Sequence, residues 1–159
     1  MSTKVLSLDE LAERTAELRQ RGSKIVATNG CFDLIHVGHV RYLARAKELG
    51  DVLIVGVNGD SSVRSLKGAG RPLNRESDRA EVLAALEFVD FVVVFPDVRA
   101  TQFLRQTRPA IYVKGGDYTP ETLDAEERAA LAEIGAETCI VPFEAGHSTS
   151  GLIARLQCE

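Results

Sequence analysis

The sequence is poor in cysteine, and the three it has, Cys31, Cys139 and Cys158, are widely spaced. An odd number with no C-x-x-C pair excludes a disulfide framework and points to reduced thiols in a cytoplasmic protein. Positive charge is also short. The formal net charge is −4, which leaves no basic footprint for nucleic acid. No apolar run approaches bilayer-spanning length, so no membrane partner is expected. The opening residues, MSTKVLSLDELAERTAELRQ, lack the apolar centre of a signal peptide. No linker, internal repeat or low-complexity segment interrupts the chain. What remains is 159 residues, 45% of them hydrophobic, which suits one globular domain with a real core.

In so acidic a chain, any site for a phosphorylated ligand must concentrate its positive groups locally. The stretch TNGCFDLIHVGHVRYLARAKELG, residues 28–50, has the parts of such a site. It follows an apolar strand over Lys24 to Asn29 and runs into an amphipathic helix over about Val37 to Leu49, with Gly50 as the expected C-cap. A helix start offers unpaired N–H groups and partial positive charge. Gly38, without a Cβ, lets an anion approach the backbone. His36 and His39, three apart, share one face if the helix begins near them. The same residues also fit a transition-metal site with Cys31 and Asp33, or an ordinary strand–helix turn with surface histidines.

Strands and helices alternate along the rest of the chain. Ser7-Leu8-Asp9-Glu10 has the form of a capping box. It opens an N-terminal helix within residues 1–22, with Leu8, Leu11 and Leu18 on one face, ahead of a domain over 23–159. Further strands are expected at Asp51 to Asn58, Phe91 to Phe95, Ala110 to Val113 and Glu137 to Val141. Their continuous apolar centres suit parallel strands covered on both faces. The segment from Lys67 to Pro72 reads as a mobile loop. Asn74 is the expected cap of a helix reaching about Glu87, with Val82, Leu83 and Leu86 inward. Further helices are expected over Arg99 to Thr107 and Asp124 to Ile134, and over Thr149 to Leu156 behind a Ser148 cap. The fold class is α/β: a single-domain, Rossmann-like, doubly wound five-stranded parallel sheet of order 3-2-1-4-5. Ligands on such sheets bind where the order reverses. Here that lies between the first and fourth strands, which lead into H-x-G-H and into Lys114-Gly115-Gly116-Asp117-Tyr118.

TNGCFDLIHVGH resembles the first motif of the cytidylyltransferase-like (HxGH) nucleotidyltransferases. LIVGVNGDSSVRSLKG, RPLNRESDRAEVLAALEFVDFVVVF, VKGGDYTPE and the late STS resemble its branch that adenylylates a heptose 1-phosphate. The similarity runs from about Lys24 to about Leu156. It implies transfer of AMP from ATP to D-glycero-D-manno-heptose 1-phosphate, giving ADP-heptose, a lipopolysaccharide precursor, and pyrophosphate. Mg²⁺ would enter with ATP, held mainly by phosphates rather than by protein side chains. The resemblance assigns catalysis to His36, His39, Lys67 and Arg79. It places the nucleotide on Asn29, Gly30, Cys31, Phe32, Gly38, Lys114, Gly116, Asp117, Ser148, Thr149 and Ser150. Asp33, Asp60 and Tyr118 are placed on the substrate side. The Cys31 thiol itself is read as packing, Asp33 as a support for a histidine or the loop, and His147 receives no role. A homodimer is implied, as is a separate protein that phosphorylates the heptose. A cytidylyltransferase for glycerol 3-phosphate is the nearest rival, and a nucleotide-binding sensor is the non-enzyme alternative.

Overall fold

The computed structural model describes residues 2–116, 118–119, 121–142 and 145–158. Strands β1 (Val5–Leu6), β2 (Ile25–Gly30), β3 (Val52–Asn58), β4 (Phe91–Phe95), β5 (Ile111–Gly115) and β6 (Glu137–Val141) form one sheet. Its order is β1-β4-β3-β2-β5-β6, and every pairing is parallel. The expectation of five strands is corrected to six. The additional strand pairs Val5 with Val92 and Leu6 with Val93 at the sheet edge. Two residues are too few to display a strand period, so only the pairing reveals it. The other five follow one another in the relative order 3-2-1-4-5, and β2 and β5 are neighbours.

Parallel strands joined by helices must bury both faces, and the side chains divide accordingly. On one face Val26, Val55, Val57 and Val92 pack with Tyr42, Leu43 and Ala46 of α2 (Val37–Lys47) and Ala80 and Leu83 of α4 (Glu76–Ala84). On the other, Ile25, Ala27, Ile54, Val93 and Tyr112 pack with Leu11 of α1 (Leu8–Gln20), Phe103 and Leu104 of α5 (Thr101–Thr107), and Leu131 of α6 (Ala125–Ile134). Two more helices, α3 (Asp60–Lys67) and α7 (Thr149–Gln157), flank the carboxyl ends of the strands. The Ser7–Glu10 capping box is present. From α1, Thr15 Oγ1 donates to Gln106 O at 3.2 Å and Arg19 Nη1 to Thr107 O at 2.9 Å, so this helix is docked on the same sheet. Among the described residues, no helix is long and apolar enough to cross a membrane.

Two local expectations are corrected. Helix α4 starts behind Arg75 rather than Asn74 and ends at Ala84 rather than near Glu87. It faces the sheet through Ala80, Leu83 and Ala84, the i, i+3, i+4 set, which turns Val82 outward to 49% exposure. Gly50 is not the cap of α2, which ends at Lys47 with Glu48 at the C-cap. Its glycine has another cause: a Cβ there would lie 2.7 Å from Lys24 O and 2.7 Å from Val26 Cγ2. The chain entering β3 passes directly against the start of β2. Asp51 N and Val52 N both donate to Lys24 O, and Asp51 Oδ2 accepts from Lys24 N at 2.7 Å.

Gly50→Ala should therefore lower unfolding stability by about 1–3 kcal/mol, because a backbone carbonyl must move. Gly70→Ala, where a Cβ meets nothing within 4 Å, should stay within about 0.5 kcal/mol of wild type. Urea denaturation of both variants measures the contrast, and equal effects would contradict the packing described.

Candidate functional site

A cavity of about 810 Å³ opens at the carboxyl ends of β2, β3 and β5, with walls from α2, α3 and the start of α7. His36 and His39 stand at its entrance to α2 and cap that helix reciprocally. His36 is the N-cap, and its Nδ1 accepts the Gly38 N–H at 3.1 Å. His39 Nδ1 accepts the His36 N–H at 3.3 Å. A neutral imidazole accepting through Nδ1 carries its proton on Nε2, so both rings have a remaining N–H to donate. Their centroids lie 3.9 Å apart. Burial lowers the His39 pKa to about 4, with the neighbouring His36 adding to the effect. Burial lowers that of His36 as well, with His147 contributing. Both rings are thus neutral donors at pH 7.

The loop before them is shaped to hold this pair. Phe32 adopts φ 48°, rare for a side chain other than glycine, and places its ring edge-on to His39 at 5.5 Å. A Cβ on Gly30 would meet that ring at 3.1 Å. A Cβ on Gly38 would lie 2.8 Å from Cε1 and 2.9 Å from Nδ1 of His36. Glycine at 38 therefore makes room for the capping imidazole, beyond any approach of an anion to the backbone. Cys31 lines the cavity, and burial raises its thiol pKa despite nearby Lys67, Arg79 and Arg71. It is a protonated thiol, not a reactive thiolate.

Asp33 is 3% exposed and serves the scaffold. Its carboxylate accepts from Arg71 Nε at 2.7 Å, from Leu73 N at 2.8 Å and from Asn74 N at 2.9 Å. Burial would raise its pKa, but these donors outweigh burial and hold it below the usual carboxylate value. Its oxygens clamp the loop ahead of α4, and the residue also lines the cavity.

Arg79 also bonds to the protein. It is 1% exposed and its fork is spent on the protein. Nε donates to Asn74 O at 3.0 Å, Nη1 to Cys31 O at 2.6 Å and to Asn58 O at 2.8 Å, and Nη2 to Asp60 Oδ1 at 2.8 Å. It ties together the ends of β2 and β3 and the starts of α3 and α4. Asp60 is its ion-pair partner and is not among the residues that line the cavity.

The remaining expected residues divide between the walls. Lys67 is the last residue of α3, so it stands on a helix end, and the loop begins at Gly68 with φ 106°. Lys114 is the penultimate residue of β5, its Nζ 4.7 Å from the centroid of the Tyr118 ring and 5.8 Å from that of Tyr112. Burial lowers the Lys114 pKa, with Glu127 and Cys31 opposing. Lys67, Lys114 and Tyr118 all line the cavity. Among the described residues, neither lysine has a carboxylate within salt-bridge distance. Asn29 lines it too, its Oδ1 bonded to Tyr112 Oη. Ser148 caps α7 by accepting from Gly151 N at 2.9 Å, and Thr149 Oγ1 donates to Leu34 O at 3.2 Å. With Ser150 they line the cavity, as Lys67 does. Gly116 turns at φ 79° and is not itself in the lining, where Gly115 is. Asp117 lies outside the described residues.

The sequence reading passed over several lining residues. His147 stacks on His36 with centroids 6.4 Å apart, bringing all three histidines of the chain to one place. Its adjacency to STS was the available signal. Arg71, Arg99, Asp124 and Glu127 also line the cavity. Arg99 pairs with Asp124 at 3.2 Å, and Glu127 Oε1 caps Ala100 N at 3.0 Å. Among the described residues, no three His, Cys, Asp or Glu side chains converge to hold a metal ion.

The signature of the cytidylyltransferase-like family matches residues 27–152. A bifunctional protein HldE from Geotalea uraniireducens is 46% identical over 154 residues, 97% of this chain and 31% of that protein. One from Nitratiruptor sp. is 44% identical over 153 residues, 96% of this chain and 32% of that protein. The chain thus spans about a third of the length of these relatives. Among solved structures, a lipopolysaccharide core biosynthesis protein from Thermoplasma volcanium superposes with TM-score 0.64 at 30% identity, covering 77% of this chain and 98% of that one. Pantoate-beta-alanine ligase from Francisella tularensis shares the fold at TM-score 0.60 and 14% identity, covering 94% of this chain and 70% of that one. With its matched residues spanning β2 to α7 and the histidine pair at the head of α2, the chain belongs to the cytidylyltransferase-like family.

Proposed function

We propose that this chain is a nucleotidyltransferase that moves AMP from ATP to the phosphate of D-glycero-D-manno-heptose 1-phosphate. The observation that carries the reading is the reciprocal cap of His36 and His39, which leaves two neutral Nε2–H donors at a helix start inside the cavity. Lys67 and Lys114 add positive charge, with no carboxylate within salt-bridge distance among the described residues, and the hydroxyl-rich head of α7 adds further donors. The relatives named HldE, similar along nearly the whole chain, support the heptose, as does the solved lipopolysaccharide core biosynthesis protein. A homodimer, and a separate kinase that supplies the heptose phosphate, belong to the same proposal.

The chemistry asks little covalent help of the protein. An acceptor phosphate oxygen, already anionic at neutral pH, attacks the α-phosphorus. The new O–P bond forms as the bond to the β-phosphate oxygen breaks, and pyrophosphate leaves. No side chain has to remove a proton. Catalysis then consists of alignment and of donors placed where negative charge grows. His36 and His39 donate to the oxygens around the α-phosphorus. Lys67, on the end of α3, attracts the β- and γ-phosphates, and Ser148, Thr149 and Ser150 receive phosphate or ribose oxygens at the head of α7. Mg²⁺ would supply charge neutralisation on the phosphate chain when bound. Arg79, Asp33 and Asp60 act by holding the loops in place.

His36→Asn keeps a helix cap but removes the Nε2 donor, and His39→Ala removes the other. Each should lower kcat by about 10²-fold or more, with a smaller change in ATP affinity. Near wild-type pyrophosphate release in either variant would end this assignment.

The pH response follows from the depressed histidines. Below about pH 6.5 an unfolded histidine binds a proton that the folded one refuses, so stability rises with pH there. The contribution is complete above about pH 6.5 and is lost as pH falls towards the His39 value of about 4. The kcat profile should likewise stay level from about pH 8 to 6. A sharp fall centred on 6.5 would show that an ordinary histidine governs the rate.

The loop from Gly68 to Arg71 should gain hydrogen-exchange protection when ATP and Mg²⁺ bind, drawn in by Lys67. Unchanged exchange in protein shown to bind ATP would refute this. For the reaction itself, ATP with the heptose 1-phosphate should release pyrophosphate faster than CTP with glycerol 3-phosphate, and ATP alone should hydrolyse little. The reverse ranking would keep the family and overturn the substrate.

A further inference from the structure

The carboxyl end of β2 carries Asn29, whose side chain lines the cavity, and β5 carries Tyr112, whose ring is fully buried on the opposite face of the histidine cluster. Tyr112 Oη lies 2.5 Å from Asn29 Oδ1. A buried phenol has one proton to donate, and leaving it unmade is costly. Burial, reinforced by Glu127, raises the Tyr112 pKa well above its ordinary value, so this proton stays on the ring. Among the described residues, the amide oxygen of Asn29 is the acceptor it finds. Were the amide turned over, its NH₂ would face the phenol and the phenolic proton would have nowhere to go. The amide orientation is therefore dictated by the tyrosine, and the two Nδ2 hydrogens are left as donors.

Among the described residues, Asn29 Nδ2 has no hydrogen-bond partner, and Asn29 precedes Gly30 at the point where β2 opens into the H-x-G-H loop. We propose that Tyr112 is a positioning residue. It locks Asn29 so that the Asn29 Nδ2 donates to a phosphate-chain oxygen of the bound nucleotide. This rests on the nucleotidyl-transfer reading and adds to it a side-chain donor from β2, backed by a buried residue that never touches the ligand. Tyr112 is the last buried side chain of β5 before Lys114 on the same face of the strand, so the two ligand-facing groups are braced by one ring.

The test is a double-mutant cycle on the full chain, read by ATP affinity in a direct binding titration and by kcat and KM for pyrophosphate release. The titration separates this proposal from the reaction: wild-type protein that binds ATP but transfers nothing would sink the transfer reading and leave the binding arm intact. Tyr112→Phe keeps the ring and frees the amide to turn. It should weaken ATP binding or raise KM about 5–20-fold. Asn29→Ala should lose at least as much, and the double variant should be no worse than Asn29→Ala alone. Asn29→Asp retains the acceptor for Tyr112 while deleting the Nδ2 donor. It should fold as wild type by circular dichroism and thermal melting yet bind ATP worse than either. Additive losses in the double variant, or wild-type ATP binding in Asn29→Asp, would overturn the proposal. Should Tyr112→Phe fail to fold, the Asn29→Asp result still decides it.

Discussion

The site depends on one buried guanidinium. The fork of Arg79 reaches Cys31 O after β2, Asn58 O at the end of β3, Asp60 at the start of α3 and Asn74 O ahead of α4. These four points belong to four different segments, and two of them, Cys31 and Asn58, line the cavity. Carbonyls at strand ends have lost their sheet partners and must be paired or wetted. Arginine can serve several at once because its donors lie in a fixed plane and it stays charged when buried. Removing a partner from such a buried network costs about 3–5 kcal/mol, since the groups left behind stay desolvated. Lysine, with one compact charge, does not reach four separated acceptors. Asp33 does the complementary work with negative charge, gathering Arg71, Leu73 and Asn74.

On this frame the reactive groups are arranged with little charge on the imidazoles. The chain as a whole is acidic, yet Lys67, Lys114, Arg71 and Arg99 all face one cavity. Asp33 and Asp124 pair with the two arginines, while among the described residues neither lysine has a carboxylate within salt-bridge distance. The histidines contribute oriented N–H dipoles, because each spends Nδ1 on a backbone N–H and resists protonation. In the proposed reaction, donors fixed in advance would cost no reorganisation as charge develops on a phosphate. The strained turn at Phe32 and the tight space at Gly38 are the local costs of that arrangement.

Much of this was legible along the chain. Continuous apolar runs bounded by glycine and proline mark the five long strands, and their alternation with helices leaves few parallel topologies. The H-x-G-H stretch after a strand places two imidazoles at a helix start by local geometry alone. The strand Val5–Leu6 was not legible, because an edge pairing of two residues has no periodic trace. Helix α4 was read too long and Val82 too far inward, since the face a helix buries is set by what it lies against.

The sequence by itself determined the parallel α/β plan, the switch point between β2 and β5, and the identity of the groups that meet there. Those properties follow from periodicity, turn chemistry and the handedness of crossovers, which are local or nearly so. Only the tertiary structure decided which polar groups face the ligand and which face the protein. Arg79, Asp33 and Asp60 carry the same charges as residues that bind substrates, but segments distant in sequence supply their partners first. His147 enters the histidine cluster, and Tyr112 sets the amide of Asn29, through contacts across more than eighty residues of chain. A hydrogen bond is satisfied by whatever the fold brings within about 3 Å, and that distance is a property of the packed chain rather than of the spacing of letters along it.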